Sequence, residues 1–166
     1  MSLRKKPWNR VNLPVYSISS TDGNGNHNMH IITYATAISM QPKLFVCGIY
    51  KGTKTLAHVQ QHPRFVLQLL HADQYALVNI LGKKSGHNYD KMQYLRKRQL
   101  VIEWNGFYIL KDALAVMELE GTHLSSPGEA TPDHQLYLCK LLAWKNLHEG
   151  VALTLDDLRK RNIIRI

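Results

Sequence analysis

Apolar residues along the chain fall into short runs, some alternating with polar positions and some continuous, and most carry the period of strands rather than helices. Residues 15–20 alternate and predict a strand, and the Asp, Asn and Gly residues of positions 21–26, which tolerate positive φ, predict the turn after it. Residues 28–42 pack β-formers and small hydroxyl residues into what reads as one long strand stopped by Pro42. A second apolar strand follows over Leu44–Tyr50, and residues 64–70 form a buried one. Residues 101–103, 107–110, 113–119 and 134–144 supply the rest. Helices are fewer and short. Thr55 is placed to cap one that Pro63 stops, and Asp73 to cap one over 74–81 that ends at Gly82. Residues 89–98 finish in Arg96, Lys97 and Arg98, which suit a helix C-terminal dipole. Thr154 and Asp157 resemble a capping box opening a last short helix. Residues 1–14 read as an irregular arm, and 121–133 as a long polar loop of the kind that is mobile or functional. Many closely spaced strands interrupted by a few short helices predict an antiparallel barrel, not alternating strand–helix units.

Composition narrows the class. The 166 residues, 45% hydrophobic and 20% charged, suit a single globular domain over 1–166 with a substantial core. No apolar run is long enough to span a bilayer, so no membrane is expected as a partner. The basic start of the chain lacks the apolar segment of a signal peptide, which makes a cytoplasmic location the expectation. Cys47 and Cys139 sit inside apolar runs without metal or redox spacing and read as buried, reduced and structural.

The net charge of +9 raises nucleic acid as a partner. Its distribution argues the other way. The cations gather at Arg4–Lys6, Lys83–Lys84, Arg96–Arg98 and Arg159–Arg161 with no regular aromatic interleaving, as solvated helix ends and termini do. Nucleic acid is therefore not the expected partner, and part of the charge is left to attract an anionic cofactor or a dinucleotide reductant. His58 and His62 have the i, i+4 spacing of a metal pair but no third ligand, so they read as surface histidines and no metal is expected. Gly23 and Gly25 begin a G-x-G pattern, but Asn28 stands where the third glycine would be, which rejects a dinucleotide-binding glycine motif.

Two features suggest chemistry. The turn through Lys51 and Lys54 to Thr55 is basic, bears hydroxyls and opens a helix, so its N–H groups, dipole and ammonium groups suit a phosphate; a solvated turn is the alternative. The hydroxyls of Thr33, Thr36 and Ser39 are more than a core strand needs. There is no G-x-S-x-G elbow and no cysteine in a suggestive histidine context, so hydrolytic chemistry is not expected.

The order Asn28, Thr33, Tyr34, Ser39, Pro42, then Thr55, Ser85-Gly86, Asp90-Lys91 and Asp133-His134, resembles the flavin reductase-like, FMN-binding split-barrel family. The chain departs from that family at His30 and Ile31, where Met and Thr are usual, and at Gln41, where a second Pro is common. The resemblance implies a mainly β fold, a six-stranded antiparallel split β-barrel with a few short helices, dimeric with flavin at the interface. It implies FMN as cofactor (FAD possible) and NAD(P)H as reductant. Asn28, His30, Ile31, Ile32 and Thr33 would pass the flavin ring, Ser39 would share the strand, and Lys51, Lys54 and Thr55 would hold phosphate. Ser85, Gly86 and Lys91 would cover the ribityl or phosphate side. Asp90 would pair with a cation or cap its helix. His134 is either a catalytic residue near the ring and nicotinamide pocket or a half-buried strand histidine. The function implied is NAD(P)H-dependent hydride transfer to flavin. A flavin-binding electron carrier without nicotinamide turnover and a basic nucleic-acid-binding β-barrel are the alternatives.

Overall fold

The computed structural model describes residues 6–165. Of the basic N-terminal cluster only Lys6 falls in that range; Arg4, Lys5 and the start of the arm lie outside it. The strands are β1 (Tyr16–Thr21), β2 (His27–Ile32), β3 (Ala35–Ser39), β4 (Leu44–Tyr50), β5 (Arg64–Leu69), β6 (Val101–Trp104), β7 (Phe107–Leu110), β8 (Ala115–Leu124) and β9 (His134–Asn146). The helices are α1 (Lys54–Gln61), α2 (Leu77–Leu81), α3 (Lys91–Lys97) and α4 (Leu155–Lys160), with single 3₁₀ turns at Pro7–Asn9 and Ala72–Ala76.

Seven strands form one sheet in the order β2-β1-β5-β8-β9-β4-β3, and β6 and β7 form a separate hairpin. Every ladder is antiparallel. The two edges, β2 and β3, are separated in sequence by Thr33 and Tyr34 alone, so the end of one meets the start of the other. The sheet therefore curls into a barrel with a seam between its edges. This corrects two sequence expectations. Residues 28–42 are not one strand, because the chain crosses from one sheet edge to the other at Thr33–Tyr34, and β-propensity is indifferent to such a crossing. For the same reason the main sheet has seven strands and not six.

The barrel interior is filled by Ile18, Ile32, Phe45, Cys47, Ile49, Phe65, Leu67, Leu119, Tyr137 and Cys139, with Leu56 and Val59 of α1 closing one end. Both cysteines are buried and unbridged. A second cluster, including Val15, Met29, Leu70, Val78, Leu81, Met92, Leu95, Leu153 and Leu158, lies under α2, α3 and α4. β5 is covered on both faces, and the buried Gln68 accepts the Leu110 N–H at 2.6 Å, tying the hairpin to the sheet. On the next strand the buried carboxylate of Glu118 pairs with Arg64 and accepts from Asn105 at 2.9 Å. Among the described residues no helix is long and apolar enough to cross a membrane.

Local signals shifted at several ends. Thr53, not Thr55, caps α1, accepting the Leu56 N–H at 3.2 Å, so Thr55 lies inside the helix and is fully buried. His71 caps the 3₁₀ turn that precedes α2, with Gln74 reaching back to it, so the helix assigned to Asp73 is a 3₁₀ turn followed by one short helix. Asp90 caps α3 and the Thr154–Asp157 capping box is present. β8 runs on to Leu124, leaving 125–133 as the loop. His58 is no surface histidine: it is buried, its Nδ1 3.2 Å from Ser20 Oγ.

Candidate functional site

The seam leaves the outer row of β2 backbone groups without a strand partner, since β2 pairs with β1 alone. At the crossing, Gly48 N–H donates to the Tyr34 carbonyl at 2.8 Å. Along this seam three cavities follow one another. A cationic cavity of about 260 Å3 lies at the N-terminus of α1. A cleft of about 270 Å3 between β2 and β4 shares His30 and Tyr50 with it. An apolar cavity of about 640 Å3 beside the 125–133 loop shares Thr33, Tyr34, Gly48 and His134 with the cleft.

The cationic cavity is lined by Lys51, Lys54, Lys83, Lys84 and Lys91 and by no carboxylate. Its walls are held by polar bonds between elements. Thr53 donates to the Tyr50 carbonyl at 2.8 Å while capping α1, fixing the turn between β4 and the helix. Asn28 Nδ2 donates to Thr55 Oγ1 at 3.0 Å, joining β2 to α1, and both side chains are buried. Gly86 lies directly over Asn28: a Cβ there would meet Asn28 Oδ1 at 2.4 Å and Lys54 Cβ at 3.2 Å. Ser85 starts the same loop and accepts the His87 N–H at 3.2 Å. Lys91 is buried, and its Nζ donates to the Leu81 carbonyl at the C-terminus of α2, 2.7 Å away. Burial lowers its pKa to about 8.

In the cleft, His30, Ile31, Ile32 and Thr33 form one wall and Gly48, Ile49 and Tyr50 the other. Burial, with Lys91 and His134 nearby, lowers His30 to about 4, so its imidazole is neutral at physiological pH. Ile31 also packs against Gly82, and Ile32 is a core residue.

His134 stands where cleft and apolar cavity meet. The rings of Tyr34 and Tyr50 flank it at 5.0 and 5.1 Å between centroids. Its Nδ1 is 2.7 Å from Asp133 Oδ1, a contact that holds the Asp133 carboxyl below its usual range. The backbone carbonyl of the same Asp133 accepts the Lys51 N–H at 2.9 Å, so the basic turn and His134 are tied through one residue. The apolar cavity beyond is lined by Leu13, Val46, Leu124, Pro127, Ala130, Pro132 and Leu136 among others.

The fold thus gathers Asn28, His30, Ile31, Ile32, Thr33, Lys51, Lys54, Thr55, Ser85, Gly86, Lys91 and His134 along one seam. Ser39 is not among them; it ends β3 and lines none of the three cavities. Sequence reasoning missed Tyr50, Lys83, Lys84 and the apolar wall. Tyr50 carried a usable signal, an aromatic at a strand end next to a basic turn, whereas the loop wall offered only its length.

The family profile described as flavin reductase like domain matches residues 8–161. No curated protein sequence matches the chain. Among solved structures, an FMN-binding protein from Thermus thermophilus with bound 1-cyclohex-2-enone is 22% identical, with 88% of this chain and 77% of that one covered at a TM-score of 0.72. The flavin reductase PheA2 in its native state is 21% identical, with 93% of both chains covered and a TM-score of 0.70. BorF, the flavin reductase component of a bacterial two-component tryptophan halogenase, is 17% identical over 89% of this chain and 88% of its own, with a TM-score of 0.73. At these identities the structural likeness is one of fold.

Proposed function

Because the chain belongs to the flavin reductase-like family, we propose that it binds FMN along the seam, with the ring in the cleft between β2 and β4, and reduces it with NAD(P)H. The observation that carries this reading is the succession of three cavities in the order such a ligand requires: cationic, narrow, then wide and apolar. A phosphate suits the lysines and the N-terminus of α1. A planar heterocycle suits a cleft whose β2 wall offers unpaired backbone donors and acceptors whatever the side chains. That is why His30 and Ile31 are compatible with the site despite departing from the usual residues. The site fits the group on its own chemistry: five lysines line the cavity without a carboxylate, and Gly86 lets its loop close over Asn28 and Lys54, an approach that a Cβ would prevent.

When bound, flavin supplies two-electron redox chemistry that no side chain here offers. The chain's own residues bind, orient and shield. Thr53 and the Asn28–Thr55 bond keep the α1 N-terminus facing the cavity. Neutral His30 adds a polar wall without a further cation beside the lysines. Asp133 fixes the His134 ring by its Nδ1, leaving Nε2 for whatever enters the cleft, and the apolar cavity is the place for a nicotinamide. The exposed apolar residues Tyr34, Ile38, Met40, Leu136, Leu142 and Trp144 lie on β3, β9 and the segments flanking β3, and a second copy of the chain is the proposed cover.

Titration of the purified protein with FMN, followed by NADH or NADPH under air, tests the reading. A shifted, quenched flavin spectrum and reductant oxidation are expected. No retention of FMN at about tens of micromolar would overturn it, and binding without reductant oxidation would leave an electron carrier.

A further inference from the structure

Of the five lysines around the cationic cavity, Lys91 alone is buried, with 3% of its surface exposed. Among the described residues its ammonium has a single partner, the Leu81 carbonyl at 2.7 Å, and no carboxylate lines its cavity. The charged or titratable groups that share the cavity are His30 of β2, Tyr50 of β4, Lys54 of α1, and Lys51, Lys83 and Lys84 of the flanking turns. Asp90, next to it in sequence, is exposed and spends a carboxylate oxygen on the Gln93 N–H. An ammonium removed from water and left without a counter-ion is costly to a fold, and a chain that keeps one beside a cavity leaves its remaining N–H donors for what enters.

Resting on the flavin reading, we propose that Lys91 is the buried countercharge that fits this cavity to a dianionic phosphate monoester, and that the phosphate enters together with a proton taken up by Lys91. The balance is simple. Above pH 8 part of the free protein carries a neutral amine at this position. An arriving dianion favours the ammonium form, so one proton moves from solvent to Nζ and no other bond changes. A phosphate monoester has its second ionisation near 6, so at pH 8.5 the ligand is already dianionic and neither gives up nor takes a proton. The bland role for Lys91, capping the C-terminus of α2, would leave affinity indifferent to the ligand's charge.

The test is calorimetry at pH 8.5 in two buffers of different ionisation enthalpy, with FMN, riboflavin and inorganic phosphate as ligands. Uptake of a sizeable fraction of one proton is expected with FMN and with phosphate and none with riboflavin, persisting in Lys54→Ala and lost in Lys91→Met. Lys91→Met should also weaken FMN by about 10- to 100-fold, the range of a charge-assisted contact, and riboflavin hardly at all. Should Lys91→Met fail to fold, the two-buffer measurement on the unaltered protein still decides. Phosphate bound with proton uptake while both flavins fail would support the countercharge and remove the flavin reading. FMN bound without proton uptake, or equal loss of FMN and riboflavin in Lys91→Met, would overturn the proposal, and so would the absence of binding by both FMN and phosphate.

Discussion

Single side chains at the seam are set by what they touch, and that fixes what their removal should do. A methyl at Gly86 would press on the Asn28 amide at 2.4 Å, an amide already engaged with Thr55, so the loop must lift or the Asn28–Thr55 bond must break. Gly86→Ala is expected to cost about 1–3 kcal/mol of stability, the range for forced overpacking, measured by urea unfolding, and to weaken FMN in the same samples. His30 gives a pH signature. Its folded pKa of about 4 lies below the ordinary 6.5, so between those values the unfolded chain binds more protons. Stability is therefore complete above about pH 6.5 and is lost as the pH falls toward 4. Burial lowers His27 and His58 as well, which act in the same sense. Thermal unfolding at pH 7 and pH 5 should show the drop, smaller in His30→Asn than in the unaltered chain. His134→Ala should leave FMN affinity nearly unchanged and slow flavin reduction in stopped flow. A hydride transfer needs no proton shuttle, so the loss should stay below the ~10²-fold typical of general acid–base groups. An unchanged rate would return His134 to a half-buried strand residue.

At the scale of elements, the strand β4, its turn and α1 form the lever that builds the phosphate end. Thr53 holds both ends of it, by donating to Tyr50 and accepting from Leu56. Thr53→Ala should cost ~1 kcal/mol, as caps do, and lower FMN affinity more than Thr53→Ser, which keeps the hydroxyl; fluorescence titration separates the two. The same lever shows what the sequence made legible. A basic, hydroxyl-bearing turn between an apolar strand and a short helix placed Lys51 and Lys54 at the cavity, because turn composition is read locally. It misplaced the cap by two residues, from Thr53 to Thr55, because Thr55 satisfies the same local preference and only its burial against Asn28 excludes it. The break at Thr33–Tyr34 was not legible for a related reason. Alternation and β-branching report that residues are extended; that β2 and β3 join opposite sheet edges is decided by β5, β8 and β9, far along the chain, which stand between the β1–β2 and β3–β4 pairs. The 125–133 wall, made by a loop with no period of its own, left only its length as a signal.

For the whole molecule, charge and apolar surface point to different partners. The +9 charge is dispersed. Arg96, Arg98, Arg161 and Lys84 each lie over a tyrosine ring, of Tyr108, Tyr94, Tyr75 and Tyr89 respectively, on separate elements and not along one stripe. Such an arrangement gives a phosphodiester backbone no continuous track to follow. Part of the exposed apolar surface gathers around one sheet edge instead. Ile38 and Met40 are 53% and 88% exposed on β3 and directly after it, Leu136 is exposed on β9, and Tyr34 and Leu136 also line the apolar cavity. β3 is moreover a free sheet edge, which isolated chains do not leave uncovered without protection. A second copy laid on this face would cover the edge, bury these apolar side chains and close the outer wall of the cavity, so assembly and ligand binding should be linked. Sedimentation at micromolar concentration is expected to give twice the 19.1 kDa of one chain. Ile38→Glu with Met40→Glu, which puts carboxylates on that edge without touching the barrel core, should shift the mass to the monomer and weaken FMN together with it, since a ligand bound only by the dimer stabilises the dimer. A monomeric unaltered protein would refute the shared site. A monomeric double variant that keeps full FMN affinity would show that each barrel holds its ligand alone.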